Sequence, residues 1–284
     1  MRLRQGTLAS LVVSTLALLC LAAAYPVGTF AQDADDFFTE LFDAGDNDLD
    51  NLSRLSLFSA CLGRHDRSAS LATLLLERDG LNPFTQFGAG MIHLWMDQLD
   101  RAERFFEKAY TMDPEVPNFR TAYAQILASR GKPDEAVELL APFERAQQSH
   151  AWTTLGLTLK YALEGDGKRV AELVTDDLQA AFRTDLLYAF MLAERYALLS
   201  EKELALVWLE VAVEGGFWNF DFLKSNPLLR YLQAEPELTR LVELARESTS
   251  RRNRLRRPRP PAPPRGWPNS SPLLDAEPAS HRSA

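Results

Sequence analysis

The stretch QFGAGMIHLWMDQLDRAERFFEKAYTMDP, residues 86–114, spaces its small and large residues as two antiparallel helices need them. Gly90 and Ala102 are small where the two helices would touch. Leu99, Phe106 and Ala109 follow on one face of the second helix, and Pro114 ends the unit where a third helix would start. A lone hairpin of this kind leaves an apolar face uncovered, so a stable fold requires copies of it in a stack.

The unit recurs. Ala102, Ala136, Ala171 and Ala205 stand 34, 35 and 34 residues apart, and Phe106, Leu140, Thr175 and Leu209 each follow four residues later. Ala124 with Ala136, and Ala193 with Ala205, repeat the separation of Gly90 and Ala102. Trp152, Leu155 and Gly156 reproduce a W-x2-L-G opening. On these residues the chain resembles the tetratricopeptide repeat family over 82–215, with a fainter copy before it. The resemblance implies an all-α fold, a right-handed α-solenoid of about four to five stacked antiparallel helix pairs with a C-terminal helical cap. Two departures are expected to disturb local packing. Phe143 stands where Ala109 and Ala212 supply a small residue, and Gly165-Asp166-Gly167 is expected to lengthen the turn of the third unit.

Outward from the repeats, residues 32–81 read as an acidic amphipathic helix carrying Phe37, Phe38, Leu41 and Phe42, followed by a degenerate repeat. Leu52, Leu55, Leu57 and Leu62 fall on its first helix, Leu71, Leu74, Leu75 and Leu76 on its second, and Gly63 in the turn, 34 residues before Asp97. The run DNDLDN before it lacks the sixth-position glycine and twelfth-position glutamate of a calcium loop and reads as a solvated turn. Residues 1–31 have Arg2 and Arg4, an uncharged run from Leu8 to Ala24 and small residues to Ala31, the pattern of an export signal cleaved after Ala31. The alternative is an uncleaved anchor in the inner membrane, since the run approaches the ~20 residues that span a bilayer. Either way the repeats are expected in the periplasm or cell envelope.

After Gly215-Gly216, residues 216–247 contain Asn226-Pro227 and Glu235-Pro236, each with proline placed for the first turn of a short helix. They are expected to cover the open end of the stack. A proline-led closing pair is similar to that of many bacterial repeat proteins, which implies a bacterial source. Residues 248–284 are rich in arginine and proline and too poor in apolar residues to fold, so a disordered tail is expected. The whole chain has 31 basic and 39 acidic residues and a formal net charge of −8, but the charges are segregated. Residues 32–245 hold 20 basic and 36 acidic residues, whereas the chain from Arg246 onward has nine arginines and three acids.

Chemistry is thinly represented. Cys20 lies in the leader, which leaves Cys61 unpaired, and no disulfide framework is possible within one mature molecule. A thiol enzyme using Cys61 with His65 is the weakest of three readings, because Gly63 separates them and nothing is spaced to orient the histidine. His65, His93, His150 and His281 have no paired ligand spacing, so neither a metal nor another cofactor is expected. Export removes nucleic acid as a partner for the cluster from Arg251 to Arg259 and leaves anionic lipid as a candidate.

The function expected is therefore non-enzymatic, a protein–protein interaction scaffold of the bacterial cell envelope that binds a peptide or partner protein. In the resembling family the concave face, lined by the first helix of each unit, holds the ligand. Carried over to this chain, the groove residues are Phe87, Met91, Leu94, Asn118, Thr121, Gln125, His150, Thr153, Leu157, Lys160, Phe190 and Glu194. Thr121 and Gln125 stand where the family's chaperone-tail clamp has lysine and asparagine, so that ligand is not expected. The alternative is an accessory subunit of an envelope enzyme or assembly complex, docked by its convex face or cap. Phe87, Met91 and Leu94 would then simply pack on the preceding repeat.

Overall fold

The computed structural model describes residue 39, residues 48–146 and residues 150–255; the leader, most of the acidic segment and residues 256–284 lie outside that range. Among the described residues every regular element is helical. In chain order these are α1 (Leu49–Cys61), α2 (His65–Asp79), α3 (Pro83–Trp95), α4 (Leu99–Met112), α5 (Pro117–Ser129), α6 (Pro133–Leu140), α7 (Ala151–Leu163), α8 (Gly167–Leu173), α9 (Asp176–Phe182), α10 (Leu186–Leu198), α11 (Lys202–Glu214), α12 (Phe220–Ser225) and α13 (Pro236–Leu255). Short 3-10 segments run over Ala141–Arg145 and Pro227–Leu232. Helices α1 with α2, α3 with α4, α5 with α6, α7 with α8 and α10 with α11 form five antiparallel pairs, and the first helices of successive pairs pack in a row. The architecture is a right-handed α-solenoid. A compact body extends to Thr249, and the residues from Ser250 form a second unit.

The register follows from the turns. Gly63, Asp97, Gly131, Gly165 and Ser200 lie at the centres of the five turns with φ of 71°, 57°, 76°, 74° and 61°. A left-handed residue there lets three residues reverse the chain, so each second helix starts at the same phase. The seam residues are then fixed. Gly90 faces Phe106 so closely that a Cβ on it would lie 2.6 Å from the ring. Its partner Ala102 is fully buried, as are Ala124, Ala136, Ala193 and Ala205 at the same places in later units.

Two expectations for the unit of α7 and α8 are corrected by this register. Its small-residue pair is Thr158 and Val170, both fully buried, whereas Ala171 is exposed and Thr175 caps α9 through a hydrogen bond to the Leu178 amide. Its turn is Glu164-Gly165-Asp166, as short as the others, because Gly167 already belongs to α8. Phe143 does disturb its surroundings, and the next unit absorbs it. Gly156 in α7 leaves the space, since a Cβ there would stand 2.6 Å from the Phe143 ring.

The degenerate first repeat is a full unit. Ser56 and Ser68 occupy its seam, both at 0% exposure, and each hydroxyl donates to the other's backbone carbonyl at 2.9 Å. Leu52, Leu55, Leu71 and Leu75 form its own core cluster; Leu57, Leu74 and Leu76 are half-buried, and Leu62 lies in the turn just past α1. Asp48 caps α1, accepting from the Asn51 amide, so the described end of the DNDLDN run opens a helix.

Candidate partner-binding site

The row formed by α1, α3, α5, α7 and α10 carries a string of aromatic side chains. Phe84 meets Phe119 edge-on at 4.8 Å, Phe87 meets Phe119 at 5.8 Å and Trp152 at 5.6 Å, and Trp152 meets Tyr188 at 6.0 Å. Such pairs add a few tenths to about 1.5 kcal/mol each beyond the area they bury. They link four successive first helices near their N-terminal ends. His150 and Asp185 fix two of those ends: the His150 Nδ1 accepts from the Trp152 amide at 3.2 Å, and Asp185 accepts from the Leu187 and Tyr188 amides.

The other half of this inner face is filled by the chain itself. Of the residues after Gly216, expected to cover the end of the stack, those from Glu235 pair with the last unit, and Phe217–Leu232 runs along the inner face as far as the first unit. Trp218 donates its amide to the Cys61 carbonyl at 2.9 Å, and the Asn219 amide group donates to the carbonyls of Trp95 at 2.7 Å and Ala60 at 3.3 Å. Phe217 stacks on Phe190 with ring centres 4.2 Å apart and meets Trp95 edge-on. Leu228 joins the core cluster of Ala124, Leu127 and Leu159. Helix α13 then buries Leu238, Leu241, Val242 and Ala245, and Arg240 pairs with Glu210 on α11. It continues as helix to Leu255, beyond the residue 248 at which the tail was expected to begin.

A buried polar cluster lies beneath the segment. Arg195, at 0% exposure, donates to Glu194 Oε2 at 2.8 Å and to Gln125 Oε1 at 2.9 Å. Gln125 also donates to Glu194 Oε2, and Asn226 donates to Glu194 Oε1 at 2.8 Å. Burial pushes the Glu194 carboxyl up to about 6, against the opposing pull of Arg195 and the three donors. Burial likewise lowers Arg195, to about 10.

These contacts decide what became of the expected groove. Phe87, Asn118, Leu157 and His150 retain solvent access. Met91, Leu94, Thr121, Gln125, Thr153, Lys160, Phe190 and Glu194 are buried. Phe190 and Glu194 are covered by the chain's own segment, Thr121 donates to the Trp152 carbonyl at 2.8 Å, and Lys160 is spanned by Glu144 and Glu164. Met91 and Leu94 line a void of about 10 Å³ with Phe106, Trp152 and Phe190, which is room for one water at most. Among the described residues no open groove runs along all the repeats, because Phe217–Leu232 takes the space. One sequence signal pointed there: Glu194-Arg195 interrupts an otherwise apolar helix, and a charged pair ringed by apolar residues reads as a buried network.

The thiol reading loses its chemical basis. Cys61 is buried, and burial first, then the negative charge of Asp185, push its thiol far above the ordinary range, so the nucleophilic thiolate is disfavoured. Among the described residues no group of three or more His, Cys, Asp or Glu is placed to hold a metal ion. None of the described helices is long and apolar enough to cross a membrane, and the run from Leu8 to Ala24 is not among them.

A tetratricopeptide repeat family model matches residues 94–156, from the end of α3 to the middle of α7. No curated protein matches the chain. Among solved structures, a chain of the APC/C hetero-tetramer Cut9–Hcn1 is similar in fold, with a TM-score of 0.52 at 18% identity over 84% of this chain. The match spans 45% of that longer chain. The helix pairs of this protein are thus similar to tetratricopeptide repeats in sequence over two units and in fold over most of its length.

Proposed function

We propose that the protein is a non-enzymatic protein–protein interaction scaffold and that it takes its partner at the aromatic rim of the inner face. The observation that carries this reading is the aromatic string through four first helices, whose edge stays open at Phe84, Phe87, Asn118, His150 and Tyr188 while the rest of the face is filled. Aromatic side chains over a rigid helical frame supply contact area at low entropic cost, as interface anchors do. We place the protein in the cell envelope on the export pattern of residues 1–31, and keep anionic lipid as a contact for the arginine-rich tail.

A second reading, docking by the outer face, is favoured by one observation. Leu204 and Val207, one turn apart on α11, are each 44% exposed. The two readings separate in a co-precipitation of the full chain from its native envelope fraction. Phe84→Glu should abolish capture of a partner that Leu204→Glu and Val207→Glu retain. The reverse pattern would transfer the site to α11 and end the rim reading.

A further inference from the structure

We propose that the filled part of the inner face is itself a binding site for an aromatic–asparagine segment that includes one short helix. It is occupied here by the chain's own residues 217–226, and a partner protein carrying a segment of that chemistry takes it by displacing them. The site is distinct from the rim and does not depend on it.

The receptor side is assembled without the segment. Glu194 Oε2 is held by Arg195 and Gln125, which also bond each other, so Oε1 is left as a fixed acceptor, and Asn226 supplies its donor. The carbonyls of Ala60, Cys61 and Trp95 close α1 and α3; the Gly63 amide already reaches that of Ala60, whereas those of Cys61 and Trp95 have no donor from their own helices. Trp218 and Asn219 satisfy all three. Phe190 presents one face to Phe217 and lies 5.8 Å from Phe222. The segment therefore reads as a ligand with an aromatic at 217, donors at 218 and 219, an aromatic at 222 and an asparagine at 226.

Its attachment suits a removable ligand. The segment leaves α11 through Gly215-Gly216, and Gly216 has φ of 109°, a conformation favourable to glycine alone. Its hydrogen bonds to α1 and α3 join residues 124 and 159 apart in sequence, so releasing it unpicks none of the bonds that build the five pairs. While tethered, it competes with a partner at an effective concentration on the order of millimolar. Weakening it should open the site.

Two measurements on the full chain test this. In native hydrogen exchange of the unsubstituted protein, amides of 217–232 should exchange together through an opening that leaves α3 to α7 protected. Exchange of both only on global unfolding would overturn the proposal. In the second, a fluorescent peptide spanning 215–232 is titrated into the Phe217→Ala/Asn219→Ala chain. It should bind about ten-fold more tightly than to the unsubstituted chain, and a peptide with the same two substitutions should not bind. A folded variant that binds no better overturns the proposal, and if the variant fails to fold, the exchange result alone decides. A variant that elutes as a dimer would assign the site to a second copy of the chain and remove the heterologous partner. Phe84→Glu should leave peptide binding unchanged, so failure of the rim reading is told apart from failure of this one.

Discussion

In each of the five units the two helices meet at residues twelve apart in sequence, as at Ser56–Ser68, Gly90–Ala102 and Ala124–Ala136. The inner face closes instead on residues 32 to 159 apart, from Asn226–Glu194 through Gln125–Glu194 to Asn219–Ala60. The first kind of contact needs only a small residue at a fixed phase, and its closure entropy is low because a three-residue turn brings the helices together. The second needs polar groups from two units and the C-terminal segment at one point, buried from water. Such a cluster has a high cost if one member is lost, since the remaining charge keeps its desolvation penalty. The repeat seam therefore tolerates exchange among small residues, and the buried polar cluster of the inner face tolerates no loss of a member.

The largest effect expected on this contrast is from Glu194→Ala, which leaves Arg195 charged and fully buried without its carboxylate. It should cost about 3–5 kcal/mol in urea unfolding; a loss below about 1 kcal/mol would mean that the network contributes little to the closed inner face. Ala136→Leu should cost about 1–3 kcal/mol by overpacking a seam position at 0% exposure. An unchanged midpoint would show that the register is wrong. A smaller change is expected from replacing both seam serines. Ser56→Ala with Ser68→Ala removes both hydroxyl donors, leaves the two backbone carbonyls to their bonds within α1 and α2, and gives the first unit the alanine seam of the third pair. Each single variant removes one of two separate hydroxyl bonds, and the double variant should remain within about 1 kcal/mol of the parent, because both carbonyls keep their helical donors. A cost well above about 1 kcal/mol for the double variant would show that the hydroxyls do more than fill a small-residue position. The smallest effect should come from Arg240→Ala, which breaks an exposed pair with Glu210. A midpoint shift above that of about 1 kcal/mol would place α13 among the elements that hold the stack together.

Much of the repeat was legible because its signal is local. Gly90, Ala102 and Phe106 meet across one turn, and the same spacing recurs at 124 and 136 and at 193 and 205, so a period of 34 to 35 residues was visible without structure. The unit of α7 and α8 slipped by a residue because Val170 and Thr158 lack the small size that marked the other seams, and a neighbouring alanine took their place in the reading. Ser56 and Ser68 were passed over since serine reads as polar, although two hydroxyls that bond opposing backbones fit a close helix contact as alanine does. The left-handed turn centres were half hidden as well, because Asp97 and Ser200 hold there the conformation that glycine holds at 63, 131 and 165.

The sequence by itself determined the helix pairs, their order and their phase, since each rests on contacts within about 34 residues and on a periodic choice between small and large side chains. Tertiary structure alone decided which face stays open. Superhelical winding brings Cys61, Trp95, Gln125 and Glu194 within reach of a segment that begins after residue 216, and winding is the sum of many small rotations between units that no single position encodes. Twelve positions on the first helices were read as a groove by their phase, which was a local property. Eight of them are buried because a distant part of the same chain, or a neighbouring unit, covers them.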